Sequence, residues 1–222
     1  MTQVPRDDRI FWIHRVLFGA LVVVVFPVAY GLMVHPENTA ENFAWPLAPR
    51  TSAMMFGSMY FSVVYLYTRV AFAKVWHNVA LVLWATLPVL SALGVVTIRH
   101  WDKFTNDPVR LAVWHTAYRV FPPFLALILL MNRRHDPRVS DHGDIHIPSG
   151  LRRLSLVFGL VFAAVGAALL LWPVATAEVW PRPVEPLAAQ ALGCLFIAPA
   201  IVLWMYVHFE RQRRPQARAV AA

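Results

Sequence analysis

Six long apolar stretches dominate the sequence, and each is long enough to cross a lipid bilayer. A transmembrane helix needs about 20 mostly apolar residues to cross about 30 Å of hydrocarbon. None of the six has an Asp or Glu in its apolar body, and none alternates between apolar and polar residues as barrel strands do. We therefore predict an all-helical integral membrane protein. The predicted spans are residues 10–33, 51–73, 76–98, 110–131, 152–174 and 187–209.

The composition supports this prediction and excludes two other classes of protein. Of the 222 residues, 59% are hydrophobic and 14% are charged, whereas soluble domains have about 45–50% and 25%. A soluble enzyme and a disordered chain are therefore excluded. The single cysteine, Cys194, excludes a disulfide framework and a multi-cysteine metal site.

Positive charge is distributed unevenly between the two sides of the predicted bundle. Fourteen of the 20 Lys and Arg residues fall on the side of the termini, five fall on the other side, and Arg119 lies within a span. The positive-inside rule then places both termini in the cytoplasm, with the protein in the plasma membrane. The same rule explains the formal charge of +8 without a nucleic-acid partner. Residues 1–222 are thus one six-helix transmembrane domain, with a cytoplasmic loop at 132–151 and a basic cytoplasmic tail at 210–222.

The first and last hairpins share a sequence pattern. In both, Thr-Ala-Glu precedes a Trp-Pro pair, a proline, an alanine and a glycine, over residues 39–57 and 176–193. Because both hairpins start from the cytoplasm, this order predicts a parallel duplication. The alternative is that each Trp anchors the membrane interface and each Pro begins the next helix.

Three short motifs carry a resemblance to known proteins. They are the run from Phe43 to Gly57, the His-Trp-Asp-x-Phe run at His100 to Phe104, and the hairpin at Trp180-Pro181. Together they resemble a group of bacterial multi-spanning membrane proteins, over most of the length of the chain. The resemblance implies a six-span bacterial membrane protein, and it implies no activity, cofactor or catalytic residue.

The fifth predicted span has small residues at a spacing of four. Small side chains let two helix backbones approach closely, which is how helices associate in lipid. The pattern predicts packing inside the bundle, with a homodimer through the same residues as the alternative. The residues are Ser155, Gly159, Ala163 and Ala167.

Arg119 lies deep inside the fourth predicted span. It is 13 residues, or about 20 Å, from the inner end of that span at Asn132. Insertion of an arginine there costs about 2.5–3.5 kcal/mol, so we expect the side chain to face the bundle or a wet cavity. No span offers an acidic partner.

The residues around Arg119 form a candidate binding site. The prolines at 122–123 free two backbone carbonyls, which leaves a locally polar stretch of helix. A guanidinium suits an anionic or carbonyl-bearing amphiphile, such as a lipid phosphate or a quinone head. In the alternative, Arg119 extends outward to the interface or caps the freed carbonyls. The predicted ligand-binding residues are Arg119, His115, Tyr118 and Trp114.

Two weaker candidates involve histidine. A haem b group needs two histidines that face each other across a bundle, and three histidines lie at the inner ends of spans. The cytoplasmic loop also has a His/Asp cluster whose residue types suit zinc or iron, but the prolines and glycine that interrupt it favour a solvated connecting loop. The haem candidates are His14, His77 and His208, and the loop candidates are His142, Asp144 and His146.

The sequence leaves three functions open. The leading interpretation is a non-enzymatic membrane protein that binds a lipid or quinone, or serves as an accessory subunit of a membrane complex. The alternative is a redox subunit that holds haem or reduces quinone. A small-solute transporter is third, since duplication and broken helices favour it, whereas the lack of acidic residues in the spans argues against ion coupling.

Overall fold

The computed structural model describes residues 10–133, 148–180 and 184–220, without the side chains of residues 77–78, 133 and 209–220. This part of the chain is all-helical, without any β-strand. It has nine α-helices, one π-helical turn and two short 3-10 turns. The α-helices are α1 Trp12–Val34, α2 Thr39–Asn42, α3 Arg50–Phe72, α4 His77–Arg99, α5 Pro108–His115, α6 Phe121–Arg133, α7 Ser149–Leu171, α8 Pro173–Val179 and α9 Pro186–Val220; the π-helical turn is Thr116–Val120, and the 3-10 turns are Pro36–Asn38 and Trp101–Lys103.

Five helical segments in this part are long and apolar enough to cross a membrane, which indicates a multi-pass membrane protein. They match five of the six predicted spans to within a few residues. The exception is the predicted span 51–73, which forms the 23-residue helix α3 but is not among the five. Its serine, threonine, tyrosine and arginine side chains make it less apolar than the others. The five are Trp12–Val34, Val79–Arg99, Pro108–Asn132, Ser149–Leu171 and Pro186–His208.

Two helical hairpins pack through glycines. In the first, α3 lies along α1, and a Cβ atom on Gly57 would lie 2.7 Å from the Cγ atom of Met33. In the second, α9 lies along α7, and a Cβ atom on Gly193 would lie 2.9 Å from the backbone oxygen of Gly166. Close backbone contacts of this kind associate helices where lipid removes the hydrophobic driving force. Helix α4 contacts both α9 and α6 and so connects the parts of the bundle.

Two glycines of α7, Gly159 from the predicted strip and Gly166, face α9 within the same chain. A Cβ atom on Gly159 would lie 3.5 Å from the Cβ atom of Leu203, which is an ordinary contact. The closest approach is instead at Gly166, which the strict spacing of four left out. An α-helix has 3.6 residues per turn, so its contact face drifts away from a spacing of four. The predicted homodimer through Ser155, Gly159, Ala163 and Ala167 stays a prediction.

The connection between α1 and α3 packs against the connection between α4 and α5 and against the start of α5. The backbone oxygen of Ala44 accepts a hydrogen bond from the backbone N–H of Thr105 (2.8 Å), and the Arg110 guanidinium donates to the backbone oxygen of Ala40 (2.7 Å). These bonds hold Trp45 in the core, where it is 1% exposed. Trp45 is therefore not the interface anchor that its position in the sequence allowed.

The start of α5 is capped by Asp107, which lies just before the fourth span. Its carboxylate accepts a hydrogen bond from the backbone N–H of Arg110 (2.8 Å). This bond and the nearby guanidinium of Arg110 lower the pKa of Asp107 below its usual value. A negative charge at a helix N-terminus also interacts favourably with the helix dipole.

Candidate functional site

A π-helical turn, Thr116–Val120, interrupts the apolar segment Pro108–Asn132 at Arg119. The backbone N–H of Phe121 bonds to the backbone oxygen of Thr116, five residues earlier. Neither Pro122 nor Pro123 has an N–H, so the regular ladder of hydrogen bonds cannot continue through this region. Single π-helical turns inside helices are rare and frequently mark functional sites.

Helix α4 contacts this turn through a glycine. Pro122 leaves the backbone oxygen of Tyr118 without its helical donor, and that oxygen lies directly against Gly94. A Cβ atom on Gly94 would lie 2.5 Å from it, so only glycine fits there without a shift of the backbone. The Cα–H of Gly94 is therefore the group that contacts the freed carbonyl.

Two of the four predicted site residues point into the core. The indole N–H of Trp114 donates to the hydroxyl of Thr97 (2.9 Å), and Tyr118 and Tyr60 share a hydrogen bond (2.6 Å). Trp114 and Tyr118 lie in contact, with ring centroids 4.2 Å apart, and both are buried. Their polar atoms thus already have partners, which gives both residues a structural role in an aromatic cluster. The cluster also includes Phe43, Trp45, Phe56 and Phe104.

His115 is the last residue of α5, one turn before Arg119. Its ring stacks on the indole of Trp101, with centroids 4.8 Å apart and planes 20° apart. Both ring nitrogens are buried, and neither has a hydrogen-bond partner in the described part of the chain. A neutral imidazole carries one donor and one acceptor, so His115 has unused hydrogen-bonding capacity next to Arg119.

Arg119 does not point into the centre of the bundle. Tyr118 is buried and Arg119 is exposed, so these consecutive side chains of the π-helical turn point to different sides, and Arg119 lies on the outer surface. The side chain is exposed, and among the described residues its guanidinium has neither a hydrogen bond nor an ion pair. It borders a shallow groove of about 290 Å³ between α4 and the π-helical turn. The groove is lined by Ser91, Gly94, Val95, Ile98, Tyr118, Arg119 and Pro122.

Of the predicted haem ligands, the structure describes the side chains of His14 and His208. His14 is buried in the first turn of α1, and its Nδ1 atom accepts a hydrogen bond from the side chain of Asn132 (3.2 Å). His208 is exposed and stacks on Trp204, with ring centroids 5.3 Å apart. The side chain of His77 lies outside the described residues, so the pairs that include it stay predictions.

The predicted metal cluster of the cytoplasmic loop, His142, Asp144 and His146, also lies outside the described residues. Elsewhere, the residues that the structure describes contain no group of three or more His, Cys, Asp or Glu that could hold a metal ion. Cys194 is fully buried in α9.

One buried polar residue, Gln190, was missed by the sequence analysis. The side chain of Gln190 is 2% exposed; its oxygen accepts a hydrogen bond from His100 (2.7 Å), and its nitrogen donates to the backbone oxygen of Leu170 (2.8 Å). Leu170 lies in the last turn of α7, where backbone oxygens lack helical donors. Gln190 therefore joins the C-terminal ends of α4 and α7 to the start of α9. The signal in the sequence was one uncharged amide in an apolar span.

Comparisons of this chain with protein-family models, with curated proteins and with solved structures found no match. Of the four predicted residues, Arg119 and Tyr118 line the groove, His115 lies one turn away, and Trp114 lies in the core.

Proposed function

We propose that this chain is a non-enzymatic, multi-pass membrane protein that binds the head of an anionic or carbonyl-bearing amphiphile at Arg119. A lipid phosphate and a quinone head both have this chemistry. The observation that carries the proposal is an exposed guanidinium without a partner among the described residues, 11 residues from Pro108 and 13 from Asn132. These separations put Arg119 about 17–20 Å from either end of the apolar segment.

The energetic reason for a ligand is the cost of an unpaired arginine in hydrocarbon. Insertion of an arginine near the middle of a membrane helix costs about 2.5–3.5 kcal/mol. A phosphate or carbonyl oxygen offsets this cost, because the planar guanidinium donates several hydrogen bonds at fixed angles. The chain has no Asp or Glu in the apolar body of any span that could do the same.

The groove suits a ligand with one polar end and one apolar end. Arg119 provides the charge, and Val95, Ile98 and Pro122 provide an apolar floor for an acyl or isoprenoid chain. The groove opens on the outside of the bundle, so a ligand enters sideways from the lipid.

The test compares ligand retention with stability. Arg119→Leu should lower the retained amphiphile by about 10- to 100-fold, because a hydrogen bond to a charged group contributes about 1.5–3 kcal/mol. Arg119→Lys should restore it only in part, since an ammonium is a point charge. Native mass spectrometry of detergent-purified proteins measures retention, and melting curves measure stability.

The matched control is Arg153→Leu, which removes an exposed arginine from the start of α7, far from the groove. It should retain the wild-type amount of amphiphile. If Arg119→Leu melts early and carries the same lipids as the wild type, Arg119 serves only the fold, and the proposed function is wrong.

The proposal includes a six-span topology with both termini in the cytoplasm of a bacterial inner membrane. Helix α3 would be the remaining span, since its 23 residues extend about 33 Å and it lies along α1. The excess of Lys and Arg on the side of the termini supports this orientation.

The hairpin contacts support the proposed duplication. In the first hairpin, Gly57 contacts Met33, which lies 24 positions earlier. In the last hairpin, Gly193 contacts Leu170, which lies 23 positions earlier. Both glycines come from the shared sequence pattern, so the repeated pattern makes the same kind of helix contact at nearly the same register.

Cysteine labelling in intact cells tests the topology. In a Cys194→Ala background, Asn38→Cys should react with a membrane-impermeant reagent, because Asn38 lies in the outer connection. Lys74→Cys should react only after the cells are opened, because Lys74 lies in the inner connection between α3 and α4. Both positions are exposed. Labelling of Lys74→Cys from outside would contradict the orientation.

A further inference from the structure

The outward side of α3 differs from a lipid-facing surface. Exposed residues recur along it every three or four positions, which is one side of an α-helix. At its centre are two serines, and at each end there is an arginine. We name this surface the α3 polar stripe, and it consists of Arg50, Met54, Ser58, Ser62, Tyr65 and Arg69.

The outward sides of α1 and α7 show what lipid contact looks like in this protein. On α1 the exposed residues include Val23 and Phe26, and on α7 they include Val157, Leu160 and Val161. Nearly all of those side chains are apolar. The polar residues of the stripe contribute to making α3 less apolar than the five candidate spans.

The two central serines form a surface that another helix can approach closely. The hydroxyl of Ser58 donates to the backbone oxygen of Met55 (2.8 Å), and the hydroxyl of Ser62 donates to the backbone oxygen of Ser58 (3.1 Å). Each serine proton is thus satisfied inside α3, while the oxygens can still accept. Serines four residues apart are a common close-contact pattern between membrane helices.

The two arginines place positive charge at both ends of the stripe. Arg50 and Arg69 are 19 residues apart, which corresponds to about 28 Å along the helix, close to the thickness of the hydrocarbon layer. Both are exposed, and in the described part of the chain neither forms an ion pair. A complementary surface therefore has negative charge near both membrane interfaces.

We propose that the α3 polar stripe binds a transmembrane helix of a different membrane protein, with small residues at its centre and Asp or Glu at both interfaces. This inference goes beyond the amphiphile site and rests on α3 being a span. A second copy of this chain is a poor fit. Two copies in one membrane have the same orientation, so a symmetric contact places Arg50 beside Arg50 and Arg69 beside Arg69. Like charges in that position repel.

Photo-crosslinking in living cells tests this proposal on the full-length chain. A photoreactive residue in place of Ser62 should form an adduct with one other membrane protein. The matched control is the same residue in place of Leu160, which is 70% exposed on the apolar side of α7 and should form no protein adduct. Mass spectrometry identifies the adduct, and its sequence should show small central residues with acidic residues at both ends of one span.

Charge reversal then tests the recognition itself. Together, Arg50→Glu and Arg69→Glu should lower the adduct yield by roughly tenfold, because each attraction becomes a repulsion. Reversal of the partner's acidic residues to arginine should restore the yield. Both substitutions are at exposed positions, so the melting temperature should stay unchanged and separate lost binding from lost folding.

An adduct with a second copy, an adduct with lipid alone, or a partner without acidic residues at both interfaces would overturn the proposal. An equal yield from the Leu160 control, or no response to charge reversal, would overturn it as well. Arg119→Leu should leave the adduct unchanged, because Arg119 is on another helix. The outcome is therefore independent of the proposed amphiphile site.

Discussion

A Gly94→Ala variant should melt below the wild type, with a loss of about 1–3 kcal/mol in the free energy of unfolding. The added Cβ atom would lie 2.5 Å from the backbone oxygen of Tyr118. A backbone atom cannot rotate away as the end of a flexible side chain can, so α4 has to separate from the π-helical turn. Helix propensity alone predicts the opposite sign, a gain of about 1 kcal/mol. Thermal unfolding in detergent, followed by circular dichroism, measures which effect is larger.

The matched control for Gly94 is Gly31→Ala in α1. No atom lies within 4 Å of the position that its Cβ would take, so this variant should melt at or slightly above the wild-type temperature. Gly94→Ala should also lower amphiphile retention, because the groove lies between the two backbones that it forces apart. Equal melting temperatures for the two variants would show that α4 and the turn are not in close contact.

Gly166→Leu should prevent α7 and α9 from packing and lower the free energy of unfolding by more than about 3 kcal/mol. The first atom of the new side chain would already lie 2.8 Å from Ile197 and 3.0 Å from the backbone oxygen of Gly193. A leucine adds three further carbons in the same place. Gel filtration of the detergent-purified protein should show loss of the monodisperse peak, and melting curves should show early unfolding.

Two neighbouring positions on α7 provide controls for Gly166. Gly159→Ala should be tolerated, because its Cβ would lie at an ordinary 3.5 Å from Leu203. Leu160→Ala should change stability by less than about 0.5 kcal/mol, because its side chain is 70% exposed on the outer side. If Gly166→Leu has the same melting temperature as these two variants, α7 contacts α9 through a different face.

The number of apolar helices was largely predictable, and α3 shows where prediction stops. Five segments are apolar enough to be identified without their neighbours. The predicted span 51–73 forms helix α3, Arg50–Phe72. Its hydroxyl groups and arginines nevertheless make its hydropathy ambiguous. Whether such a helix crosses a membrane depends on what covers its polar side, and that information is not local.

The candidate site was predicted in part. Arg119 was identified because a charge inside an apolar span is expensive, and that argument needs only the sequence. Its orientation was not predictable, because the π-helical turn and the pairing of Tyr118 with Tyr60 set which side of the helix is buried. Gly94 was missed for the same reason, since its role depends on a carbonyl of another helix.

Hydropathy, charge placement and the paired prolines are properties of short stretches of chain, so they alone indicate apolar helices, an orientation and a disturbed fourth span. The residues at which two helices meet, and the side that each helix buries, depend on contacts between residues far apart in sequence. Tertiary packing alone therefore placed Trp45 in the core, brought Gly166 rather than Gly159 to the closest approach of α7 and α9, and left Arg119 on the outer surface. The physical reason is that a helix presents several sides of similar polarity, and only its neighbours decide which side is buried.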